Sequence, residues 1–226
     1  MGSPCVTFAT AFWFAMAGHI TSLRFQKRTA ERVNVYLDDE YAFAVPAVAA
    51  ARLHIGQFLT DAEIAALRGE DAISKAYERA VRFLSFRPRS TTEVRRYLIE
   101  AEVDPEAVEA TLNRLTEQGY LNDDEFARFW VENRQRFRPK GEQALRQELR
   151  RAGVDKETID ESLAGLDSSE AAYAAGKPRA ERLSLLAETD PTAFRRKLSD
   201  FLLRRGFGYG VVQETVRRLL HEISEQ

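Results

Sequence analysis

The chain has 226 residues, of which 44% are hydrophobic and 30% charged, a balance that describes a folded protein rather than a disordered polyelectrolyte. With 33 basic and 35 acidic side chains its formal net charge is −2, which argues against a histone-like binder held by bulk charge but leaves room for a local basic face. Cys5 is the only cysteine, so no intrachain disulfide can form and no thiolate cluster can bind zinc; His19, His54 and His221 lie far apart with no metal-ligand spacing, no glycine-rich phosphate loop occurs, and neither a cofactor nor a catalytic residue is expected.

The run from Val6 to Ala17 is apolar, with Phe8, Phe12, Trp13, Phe14 and Met16. No Lys or Arg precedes it, and it is too short to span a bilayer. Residues 1–18 are read as a disordered extension, and a cytoplasmic protein without membrane contact is expected. Residues 19–71 are expected to hold a β element followed by short helices. Ile20 to Phe25, Val33 to Leu37 and Tyr41 to Val45 alternate apolar and polar, and Asp38-Asp39-Glu40 reads as a turn. Pro46 starts a helix expected to reach about His54, Gly56 breaks it, and Thr60 or Asp61 caps the next.

From Ala72 onward the pattern is helical and repeats itself. Phe86-Arg87-Pro88 matches Phe137-Arg138-Pro139, and the same offset superimposes Val94, Leu98 and Asp104 on Leu145, Leu149 and Asp155. A second offset carries Leu145, Leu149, Gly153, Ile159 and Leu163 onto Leu198, Leu202, Gly206, Val212 and Val216. Apolar residues four apart give each middle helix one buried stripe. Ser90 with Glu93 predicts a capping box, Asp104-Pro105 a helix start, and Gly153 and Gly206 left-handed helix ends. The predicted fold is mainly α: tandem three-helix repeats over 72–121, 122–168 and 169–226 form an elongated curved array behind a short N-terminal antiparallel β element.

The central repeat holds Tyr120-Leu-Asn-Asp123, Phe126-Ala127, Arg134, Pro139-Lys140-Gly141, Glu148-Leu149 and Gly153-Val154. This series resembles the signature of the RecX family, and the likeness extends over about residues 20–223. One departure is Ala152, where the family often places a basic residue; Arg150 and Arg151 stand just before it. The resemblance implies a non-enzymatic regulator that acts in DNA repair and recombination. Such a protein would bind RecA filaments on single-stranded DNA as a monomer, contact the DNA weakly or indirectly, and depress ATP hydrolysis, strand exchange and co-protease activity. A free-standing helix-turn-helix-like DNA-binding or transcription regulator is the other reading of three-helix units.

Candidate contact residues follow from charge. Arg128, Arg134, Arg136, Arg138, Lys140, Arg146, Arg150 and Arg151 share a window with only three acids, against the sign of the whole chain. Arg95 and Arg96 occupy the equivalent helix one repeat earlier. A stripe of this kind suits phosphates or an acidic protein groove. The bland alternative is a solvated helix face, or pairing one turn away, as between Glu142 and Arg146. Arg134 and Lys140 gain weight because they fall on the RecX-like signature. Reversing the charges of Lys140, Arg146 and Arg150 is expected to leave the fold intact and abolish inhibition. Tyr120, Leu121, Phe126 and Trp130 are read as core rather than a base-stacking platform, and Asn122 or Asp123 as a helix cap.

Overall fold

The computed structural model describes residues 17–26 and 29–225. The expected extension falls, through Met16, outside the described residues. Four strands form one antiparallel sheet in the order β3-β2-β1-β4: β1 (Gly18–Gln26), β2 (Thr29–Leu37), β3 (Glu40–Pro46) and β4 (Phe58–Leu59). Alternation puts Ile20, Val33, Val35, Leu37, Phe43 and Val45 on one buried face, with Val33 opposite Val45 and Val35 opposite Phe43. Asp38 and Asp39 both take positive φ, 47° and 69°, as a two-residue hairpin turn with matching twist requires.

Three details differ from the sequence reading. The helix behind Pro46, α1 (Ala47–Ala50), stops after one turn, short of His54. The short strand β4 then closes the free edge of β1 by pairing with Gly18 and His19. Thr60 forms a capping box with Glu63 and starts α2 (Asp61–Leu84), which runs unbroken past residue 72, where the first repeat was expected to begin. Ile64 and Leu67 of α2 join the core of the sheet. Asp71, 7% exposed, accepts from Arg32 of β2 at 2.5 Å and pairs with Lys75 at 2.7 Å, so sheet and helix share a half-buried ion triad.

The chain divides into two compact units. One runs to Arg79 and includes Glu102–Thr111; the other comprises Ala80–Ala101 and Leu112–Gln226. The remaining helices are α3 (Thr91–Glu100), α4 (Pro105–Glu117), α5 (Asp123–Phe137), α6 (Glu142–Arg151), α7 (Lys156–Leu163), α8 (Ser168–Glu181), α9 (Ser184–Thr189), α10 (Pro191–Arg204) and α11 (Tyr209–Ser224). They form tandem three-helix domains, with α9 inserted in the third. No described helix is long and apolar enough to cross a membrane.

The repeat pattern reappears as burial. Val94 and Leu98 of α3, Leu145 and Leu149 of α6, and Leu198 and Leu202 of α10 are all fully buried. Leu145 and Leu149 pack with Phe126 and Val131 of α5 and Ile159 and Leu163 of α7. In the third domain Ala171, Ala172 and Ala175 of α8 let α11 approach closely, and Phe194 fills the space under α10. Ser90 forms the expected capping box with Glu93, and the Asp104 carboxylate accepts from the backbone N–H of Glu106 at the start of α4.

The joints between successive domains repeat too. At the first, the Ser90 hydroxyl before α3 donates to the carbonyl of Ala152 after α6, and the Asp123 carboxylate accepts from Thr91 N–H at 2.8 Å. At the second, Gly141, which stands one repeat after Ser90, donates its N–H to Arg205 after α10 at 3.0 Å. Arg205 answers with a guanidinium bond to the carbonyl of Pro139, also 3.0 Å. The N-terminal end of each middle helix thus receives the C-terminal end of the next. In the third domain the middle helix begins a turn earlier, with Asp190 as its N-cap, and Phe194, the sequence equivalent of Gly141, is buried in that domain's own core.

Gly153 and Gly206 end their helices at φ +83° and +82°, as the sequence reading expects. The equivalent residue after α3 is Glu102, at φ 56°. A side chain there costs about 1–2 kcal/mol of left-handed strain, against roughly 0.5–1 kcal/mol of extra backbone entropy for glycine. Glu102→Gly is therefore expected to stabilise the protein by up to about 1 kcal/mol in urea denaturation. A loss of stability would show that the Glu102 side chain makes a contribution outweighing the strain.

Candidate functional site

The RecX-like signature residues of the central domain meet around one carboxylate. Arg134 projects from α5, Lys140 from the loop before α6, and Glu148 from α6 itself. Glu148 accepts from the Trp130 indole N–H at 2.8 Å, from Arg134 Nε at 2.9 Å and from the Lys140 ammonium. The Arg134 guanidinium also lies over the Trp130 ring, 4.4 Å from its centre. Burial pushes the Glu148 carboxyl up, but the hydrogen bonds from Arg134, Lys140 and Trp130 outweigh it and hold the group below its usual range. Arg134 and Lys140 therefore tie α5, the loop and α6 together, and their charges are already matched within the domain.

Arg146 is likewise held. It pairs with Glu142 at 2.9 Å and with Asp160 of α7, and the hydrogen bonds it donates to Asp160 and then to Glu142 raise its pKa further. The one-turn pairing weighed against a binding role is thus present. Reversing Lys140 and Arg146 would place carboxylates against Glu148, Glu142 and Asp160, so the expected silence of that substitution toward the fold is corrected. Arg95 is half-buried and engaged in contacts of its own.

The remaining candidates, Arg96, Arg128, Arg136, Arg138, Arg150 and Arg151, are exposed, and among the described residues none has a carboxylate within ion-pair distance. Arg150 and Arg151 stand in the last turn of α6, where the helix dipole favours cations. Arg136 and Arg138 lie at the end of α5. These six are the charges the fold leaves available.

Of the aromatic group read as core, Leu121 and Phe126 are buried and Trp130 is half-buried over the ion network. Tyr120 departs from that reading. It follows Gly119 in the loop after α4, its N–H bonds to the Leu115 carbonyl, and its side chain is exposed. Asn122 caps α5 by accepting from the N–H groups of Asp124 and Glu125, which leaves Asp123 for the joint with Thr91.

Each joint opens a cleft beside its Phe-Arg-Pro loop. The first, about 650 Å³, is lined by Phe86, Arg87, Arg89, Tyr120, Glu125 and Phe129, among others. There Arg87 is paired with Glu93 at 2.7 Å, and Arg89 lies over the Phe83 ring at 3.9 Å. The second, about 530 Å³, brings Arg136 and Arg138 against Arg179, Arg182 and Arg205. Among the described residues, no acidic side chain lines it. Burial first, and then the nearby charge of Arg138, lowers the pKa of Arg205. Sequence reading missed Arg179 and Arg182, because only the joint carries the end of α8 to the Phe137-Arg138-Pro139 loop.

Comparison with known proteins matches this architecture part by part. Residues 18–60 match the RecX N-terminal domain, residues 76–115 the first RecX three-helix domain and residues 122–163 the second. Regulatory protein RecX of Bacillus subtilis is 32% identical over 208 residues, covering 91% of this chain and 79% of its own. The protein of the same name from Lactobacillus delbrueckii subsp. bulgaricus is 35% identical over 211 residues, covering 91% of this chain and 76% of its own. A crystal structure of regulatory protein RecX superimposes with a TM-score of 0.71 at 29% identity, covering 88% of this chain and 98% of that one. With three RecX domains matched in order and relatives at 32–35% identity over 91% of its length, the chain belongs to the RecX family of regulatory proteins.

Proposed function

We propose that this protein binds RecA filaments on single-stranded DNA and lowers RecA's ATP hydrolysis, strand exchange and co-protease activity, as a cytoplasmic regulator without catalysis of its own. Membership of the RecX family carries this reading, since its relatives are named as regulatory proteins. Physical support comes from the arginines left unpaired. Arg128, Arg150 and Arg151 are exposed on α5 and α6 of the central domain, whereas Arg134, Lys140 and Arg146 serve the fold. Exposed cations of this kind steer association with a negatively charged polymer and set its register.

The test is RecA ATP hydrolysis on single-stranded DNA with the protein titrated in. Hydrolysis is expected to fall with dose. Arg128→Gln combined with Arg150→Gln and Arg151→Gln is expected to weaken inhibition about tenfold, equal to about 1.4 kcal/mol, with little change in melting temperature. Hydrolysis unaffected by the wild-type protein would overturn the proposal. Tight, sequence-specific binding to bare duplex would instead favour a helix-turn-helix-like regulator.

A further inference from the structure

The second joint holds five guanidinium groups around one concavity with no acid among its lining side chains. Arg136 and Arg138 come from the end of α5, Arg179 and Arg182 from the end of α8, and Arg205 from the turn after α10. Like charges brought together cost free energy unless an anion neutralises them. Arg205 is fixed in place: it bonds to the Pro139 carbonyl and lies 4.7 Å over the Phe201 ring. The other four are exposed and, among the described residues, have no carboxylate within ion-pair distance. At about 530 Å³ the cleft matches the usual size of small-ligand sites, which runs from about 300 to 1,000 Å³. Phe137 stands on its rim, 66% exposed, with Arg136 lying 5.3 Å from the ring centre.

We propose that this cleft is a direct single-stranded nucleic-acid site, in which the arginines hold adjacent backbone phosphates and Phe137 stacks on an unpaired base. Guanidinium forks match phosphate oxygens two at a time. An aromatic ring beside a cationic groove is the arrangement that binds single strands without reading sequence. An acidic peptide would use the arginines equally well but would leave Phe137 without a role. The first cleft carries a related loop and exposed rings, but Glu125 lines it and Glu93 engages Arg87, so the second is the stronger phosphate site. This inference deepens the function proposed above by giving the chain its own grip on the strand, and it is tested on bare DNA, where RecA has no part.

Fluorescence anisotropy of a labelled oligo-dT strand, titrated with the full chain over a range of salt, reads the site. Arg179→Gln with Arg182→Gln is expected to weaken binding about tenfold and to lower the slope of log affinity against log salt by about 1.4, from two lost phosphate contacts at about 0.7 each. Phe137→Ala is expected to weaken binding to oligo-dT about tenfold and to leave binding to an abasic strand of equal length unchanged. Wild-type affinity and slope in the double variant would overturn the proposal. So would equal losses by Phe137→Ala on both strands, or tighter arginine-dependent binding to a poly-glutamate peptide than to DNA. Inhibition of RecA with no binding to bare strand would remove this site while leaving the regulatory reading intact.

Discussion

Replacing Gly141 by alanine is expected to uncouple the third three-helix domain from the second and to cost about 3 kcal/mol or more, at the upper end of overpacking effects. A Cβ there would lie 2.2 Å from the Gly206 carbonyl oxygen, 2.3 Å from its carbon and 2.4 Å from Phe207 N. All three are backbone atoms, so no side-chain rotation makes room. Gly206 is just as close to the same helix end, where an added Cβ would meet the Ala144 Cβ at 2.5 Å, and the next residue, Phe207, is locked in the third domain's core. Relief comes only by opening the joint and losing the bonds from Gly141 to Arg205 and from Arg205 to Pro139. Amide hydrogen exchange should then show protection lost across α10 and α11 while α5 keeps its own. Unchanged exchange in α10 and α11 would show that the joint yields without opening.

Glu148→Ala is the second large effect, expected to destabilise the protein by about 2–3 kcal/mol, because it strips partners from three partly buried donors at once while solvent screens what remains. Arg134 and Lys140 would keep half-buried charges with no anion, and the Trp130 indole would lose its acceptor. The same carboxylate sets a pH dependence. Its folded-state pKa lies below the unfolded value, so its stabilisation is complete above the ordinary carboxylate range, near pH 4.3, and fades as pH falls through the lowered folded value. Urea denaturation at a series of acidic pH values should show a shallower acid loss in Glu148→Ala than in wild type. Parallel acid profiles, or a stability drop below about 1 kcal/mol, would show that the three contacts behave as an exposed, screened pair.

The repeat is legible in the amino-acid sequence because its parts are local. A capping serine, a glycine at a helix end and apolar residues four apart all act within one or two turns, and Ser90, Gly153 and the pair Leu145 and Leu149 do what their spacing implies. The hairpin through Asp38 and Asp39 is legible for the same reason. Strand β4 is not, because two residues, Phe58 and Leu59, carry no periodicity; β1 recruits them from across the chain. The continuity of α2 is hidden because nothing marks residue 72 except a change in what the helix packs against. Binding candidates are hardest to read where a charge finds its partner on another helix. Glu148 lies 14 residues from Arg134 and 8 from Lys140, and only the packing of α5 on α6 brings them together. Net charge in a window does not separate those two from Arg150 or Arg151, which the same packing leaves outside.

The direction of the joints bears on how this architecture accepts change. Ser90 and Gly141 are the N-caps at the receiving ends, whereas the third middle helix starts a turn earlier, capped by Asp190, with Phe194 buried one turn inside it. A duplicate of the central domain spliced between the second and third would meet complementary surfaces above and below. The same duplicate fused behind the third would meet a helix end extended by that extra turn, with an aspartate at its cap in place of Ser90 or Gly141, and hang unanchored. Lengthening by internal duplication is open to this molecule; lengthening by tail addition first requires that extra turn to be trimmed.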